Sequence, residues 1–100
     1  MAVGRWRYAE TMAPVLADLP GGDLVEQGLA DLRNSTLSVE ALLVSVGEPR
    51  LTSLGLDVPT PLDDPEHRLY ALLAAEDPDT AHGRYNALIR RLVSFERALA

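Results

Sequence analysis

Arg84, Arg90, Arg91 and Arg97 are the side chains of this 100-residue chain whose type and spacing could do chemistry. Each guanidinium presents a rigid fork of donors that matches a carboxylate or a phosphate. What they offer is recognition of an anionic surface, on a protein or on a nucleic acid. Other groupings are weaker. His67 and His82 are the only histidines and form no ligand spacing such as His-x-x-x-His. Asp63, Asp64 and Glu66 form an acidic cluster, but each has a local role around a helix start. The chain has no cysteine, so a disulfide, a thiolate zinc site and a thiol nucleophile are all out of reach. It has no Gly-x-Ser-x-Gly elbow and no glycine-rich phosphate loop. Fifteen carboxylates always allow some acid–base pair to be drawn, so drawing one has no weight. The expectation is no catalytic residue, no metal ligand and no cofactor.

The arginines lie on the stretch from Asp77 to Ala100, where Ala81, Tyr85, Leu88, Leu92, Phe95 and Leu99 recur at alternating steps of four and three. That is the seam of an amphipathic helix, widened on one side by Ile89 and Val93. With Leu88 as zero and about 100° per residue, Arg84 and Arg91 fall near −40° and −60°, and Arg90 and Arg97 near 200° and 180°. They make two rows of two outside the stripe. Asp77 is the expected N-cap, Pro78 the first helical residue, and Asp79 a complement to the helix dipole. This helix should be the longest, with the others packed on it and with Leu88 and Leu92 almost fully buried.

Upstream, Trp6 and Tyr8 alternate with Arg5 and Arg7 and are expected to dock on the body. A first helix covers about 8–19, either kinked near Ala9–Glu10 or started late at Thr11, because of Pro14. Pro20-Gly21-Gly22 breaks it. Asp23 with Glu26 resembles a capping box and opens a second helix to about Arg33, which buries Val25, Leu29 and Leu32. Asn34 suits a left-handed stop. Asn34-Ser35-Thr36 fits the glycosylation pattern, and reads instead as that stop followed by the next N-cap. A third helix runs from about Leu37 to Val46, apolar on more than one side, with Gly47 as its stop. Pro49 starts one or two turns that Gly55 closes. Residues 55–64 are extended, with Leu56, Val58 and Leu62 pinned down. Asp64-Pro65-Glu66 then caps a helix over about 65–75 with Leu69, Tyr70, Leu72 and Leu73 inward. Glu76 and Asp77 alone join it to the last helix.

The fold expected is all-α: a single-domain irregular bundle of four main helices plus a short helical turn, packed around a long C-terminal helix. Composition agrees. Apolar residues make up 47% of the chain, with eighteen leucines and a single Ile, Phe and Trp. Leucine loses little rotamer freedom in a helix. One hundred residues suffice for one core, burying roughly 65% of the extended-chain surface. No apolar run approaches the roughly 18 residues of a membrane span, and the N-terminus shows no apolar stretch like that of a signal peptide. These features point to a cytoplasmic protein. All nine basic residues are arginine, which reads as the codon bias of a GC-rich, bacterial genome.

The formal charge of −6 is unevenly spread, with the acidic residues concentrated before position 80 and a net positive segment after it. An acidic body disfavours indiscriminate nucleic-acid binding. The last two helices and their short turn mimic a helix-turn-helix, but Glu76, Asp77 and Asp79 stand where the phosphates would approach and would repel them. The functional expectation is therefore a small, non-enzymatic protein-interaction or regulatory module. Its partner would be another protein or a second copy of the chain, engaged through Arg84, Arg90, Arg91 and Arg97. Nucleic-acid binding by the same arginine face is the alternative.

Overall fold

In the computed structural model, residues 16–100 are described. The expectations for Trp6, Tyr8 and the greater part of the first helix lie outside the described residues. Its end is inside: residues 16–18 are helical, and Leu16 and Leu19 pack against the core.

The described chain is all-helical, with α1 at Gly22–Arg33, α2 at Val39–Val46, α3 at Glu48–Ser53, α4 at Pro65–Glu76 and α5 at Ala81–Leu99. Four are substantial and α3 is the short turn. The helix α5 is the longest at 19 residues, and α1, α2 and α4 all pack on it. The most enclosed element is nevertheless α2, which touches each of the other four. Its run Ala41–Ser45 is buried on every side. Seven apolar residues in the ten from Leu37 to Val46 had announced a helix covered on more than one face, and eight residues are short enough to be surrounded.

Two devices hold α2 in place. Gly28 of α1 sits at the crossing, where a Cβ would collide with the Glu40 carbonyl and a Val44 methyl. The absent side chain lets the two backbones approach. Ser45, a buried hydroxyl, donates to the Ala41 carbonyl (2.8 Å) and accepts from the Leu62 N–H (3.0 Å). That second bond pins the extended connection, along which Val58 is buried and Leu56 and Leu62 are half-buried.

Helix starts are where the structure departs most from expectation. The N-cap of α1 is Gly21, in the left-handed region at φ 73°, so Asp23 lies within the first turn and forms no capping box. The cause is tertiary: a Cβ on Gly21 would lie 2.5 Å from the Arg91 carbonyl oxygen, so this turn is pressed onto α5. Asn34 ends α1 at φ −95°, and the left-handed residue is Ser35 at φ 54°. Ser38 is the cap of α2, which begins at Val39, two residues beyond the expected start, and its Oγ accepts from the Ala41 N–H at 2.9 Å. The same hydroxyl donates to Asp31 of α1 at 2.6 Å, and Gln27 steadies that carboxylate at 2.9 Å. Asp64 precedes α4 at φ 47° and makes no side-chain cap. Capping geometry calls for an extended backbone at that position, which the left-handed conformation denies. Pro65 still takes the first turn. Asp77 also fails to cap the last helix. Its Oδ1 accepts from the Asp79 N–H (3.1 Å) in a separate turn, and α5 begins only at Ala81 after an uncapped Thr80.

Candidate functional site

Along α5 the seam is unevenly covered. Ala81, Leu92 and Phe95 are buried, whereas Tyr85, Leu88, Ile89 and Leu99 are half-buried. The expectation that Leu88 is almost fully buried is therefore wrong. It fails because α1 and α2 do not close over α5 at this level: Gly21 brings α1 against α5 at Arg91, and Gly28 draws α1 onto α2 instead. The space left is a furrow of about 390 Å³ with Leu24, Val39, Ala87 and Leu88 along it. Arg84 and Arg91 of α5 line it, together with Glu40 of α2.

All four arginines are exposed. Arg84 pairs with Glu76 at 2.8 Å and Arg91 with Asp23 at 2.9 Å. These pairs join α5 to the end of α4 and to the start of α1. Both members of each pair are about half exposed or more, so each pair is weak and readily exchanged. Arg90 and Arg97 have no carboxylate within 4.0 Å among the described residues. The two rows expected from the helical period are thus chemically different. Arg84 and Arg91 are partnered beside the furrow, while Arg90 and Arg97 are held by no such pair among the described residues.

A second hollow, about 650 Å³, adjoins the first and shares Ala87 and Arg91 with it. Arg90 and Ser94 line its far side, with Pro20 and Gly21 opposite. Neither hollow is legible in the sequence, because each is made where elements far apart in the chain fail to meet. Of their apolar members Val39 and Leu88 fall on helix stripes whereas Leu24 and Ala87 carry no expectation, and nothing in the sequence says which of them stay partly uncovered.

The remaining side chains with reactive groups lie elsewhere. Tyr70, expected inward, is 40% exposed, its ring 5.6 Å from Tyr85 and 6.4 Å from His82. Leu73, one helical turn further on, takes the core position, and Tyr70 keeps its hydroxyl in water. Burial and the nearby Glu66 charge raise the Tyr85 phenol above its ordinary range. Burial also raises Glu96, partly offset by Arg50. His82 meets Asn86 at 3.2 Å. Among the described residues no three His, Asp or Glu side chains converge as a metal cage would need. None of the described helices is long and apolar enough to cross a membrane. Comparison with known proteins finds no matching family model, no similar curated protein and no similar solved structure.

Proposed function

We propose that this chain is a small, cytoplasmic, non-enzymatic interaction or regulatory module, bacterial in origin, that engages a protein partner through Arg84, Arg90, Arg91 and Arg97. A second copy of the chain is one such partner. The observation that carries the reading is Leu88. It is a central residue of the longest seam, left half-covered between exposed arginines, and apolar surface beside exposed charge is the pattern of a recognition patch. The competing nucleic-acid reading meets an obstacle at the same place. Asp23 and Glu76 already accept from two of the four arginines, and both carboxylates are exposed where a phosphate backbone would have to come.

The test sets nucleic-acid affinity across a salt series beside the mass of the protein, alone and with captured partners, by light scattering. The expected outcome is no submicromolar DNA or RNA binding at about 150 mM salt. In a complex, the double change Arg90→Ala/Arg97→Ala should weaken the protein contact. Tight nucleic-acid binding at that salt, lost in the double variant, would reverse the assignment.

A further inference from the structure

We infer that a groove between α2 and α4, with Arg68 at its middle, binds a small amphipathic anion: an aliphatic chain ending in a carboxylate. The groove goes beyond the interaction reading and shares no lining residue with the hollows beside the α5 arginines. Its shape comes from α4. Arg68, Ala71, Leu72 and Ala75 fall at the three- and four-residue steps of one helical face. Two of the four are alanines, too small to fill the space toward α2. What remains is a hollow of about 320 Å³ between that face and Leu37 and Leu42. A second hollow, about 220 Å³, shares Leu37 and Arg68 with it. Ser35, Thr36 and Thr60 line this other end with their hydroxyl side chains.

Arg68 supplies the charge. It is the only described arginine that is not exposed. No carboxylate lines either hollow. Although Asp63, Asp64 and Glu66 are near in sequence, no carboxylate among the described residues comes within 4.0 Å of the guanidinium. Arg68 Nη1 donates to the Asp63 main-chain carbonyl at 3.2 Å, which leaves most of the five donors free for a ligand. Water screens a half-buried cation less than an exposed one, so an incoming anion gains more here. Leu37 supplies the apolar surface. At 55% exposed it is the most exposed large apolar side chain described, and it stands in the wall of both hollows. An aliphatic chain laid along Leu37, Leu42 and Leu72 takes that surface out of water. An apolar trough with a few convergent polar groups is the make-up of a small-ligand site. Thr60 adds local strain: it lies at φ 38°, which its β-branch and the following Pro61 both oppose. Strain of this kind is concentrated at ligand clamps.

The experiment titrates the full chain with octanoate at about 150 mM salt. Octanol serves as the same chain without charge, and acetate as the headgroup without the chain. Calorimetry measures affinity, and amide chemical shifts locate the contact. Octanoate should bind saturably and shift Leu37, Arg68 and Leu72, and both controls should bind at least about tenfold more weakly. Arg68→Gln should reduce octanoate to the level of octanol without moving the thermal melt. Ala71→Leu/Ala75→Leu changes two exposed positions, fills the trough and should abolish binding with Arg68 still in place. Absence of saturable octanoate binding, or shifts confined to another face, would overturn the site. So would octanol or acetate binding as tightly as octanoate, or an unchanged octanoate affinity in either variant.

Discussion

The contact between α1 and α2 and the flank of α5 that carries the arginines are built from the same residue types to opposite effect. At the first, Gly28 removes a side chain and lets the two backbones approach, and Val25, Leu29, Leu32, Ala41 and Val44 are all buried. Polar groups there form a short chain from Gln27 through Asp31 to Ser38, exposed at the Gln27 end and part-buried at Ser38. At the second, Leu88 and Ala87 stop short of Leu24 and Val39, and the polar groups are exposed ion pairs. One region is finished and the other is open. Close backbone approach, rather than apolar content, separates the two. A leucine is a core residue only where the opposing backbone can reach it.

The largest expected effects test that contrast directly. Leu92→Ala should cost about 2–5 kcal/mol, as truncation of a fully buried leucine does, whereas Leu88→Ala should cost roughly half of that or less. Chemical denaturation of both variants measures the difference. Equal losses would mean that α5 is as closed at Leu88 as at Leu92 and that the furrow is not open in solution.

Glycines sharpen the comparison next. Gly28→Ala should destabilise by about 1–3 kcal/mol, because the new methyl must push α1 away from the Glu40 carbonyl. Gly83, on α5, has nothing within 4 Å of the position a Cβ would take. Gly83→Ala should therefore stabilise, by about 0.5–1 kcal/mol, through helix propensity alone. Thermal melts of the pair should move in opposite directions, and a shared direction would contradict the difference in backbone approach.

Caps come third. Ser38→Ala should lose about 0.5–2 kcal/mol, since it removes the acceptor for the Ala41 N–H and the donor to Asp31. Asp64→Ala should lose less than Ser38→Ala, because that carboxylate caps nothing and only alanine's poorer tolerance of the left-handed backbone at φ 47° counts against it. The two losses measured side by side in urea would show whether Asp64 has a role that its backbone conformation denies it.

The smallest effect is a pH dependence at Glu96. Its carboxyl is raised above the ordinary range by burial, so the folded protein holds this proton more tightly than the unfolded chain. That preference favours folding at low pH and is lost as pH rises through the folded value. Glu96→Gln should make this part of the stability curve flatter between the ordinary carboxylate range and neutrality, read from denaturation midpoints at successive pH values. An unchanged profile would remove Glu96 as its source.

Periodicity and punctuation alone determined the helices. The four-three seam, the Pro20-Gly21-Gly22 break, Gly47 and the proline-interrupted stretch before Asp64 depend on local sterics, which act within a turn or two whatever the rest of the chain does. The exposure of the four arginines followed from the same period. The roles of particular side chains were not local. Asp23 and Asp77 have the right chemistry for N-caps, but contact of Gly21 with α5 moved one helix start, and a separate turn took the other aspartate. Which arginine meets a carboxylate depended on Asp23 reaching Arg91 across 68 positions of sequence. That α2 is the enclosed element, and that Leu88 is left half-covered, depended on how closely three backbones could approach. Such distances are fixed by side chains far apart in the chain, so tertiary packing decided them.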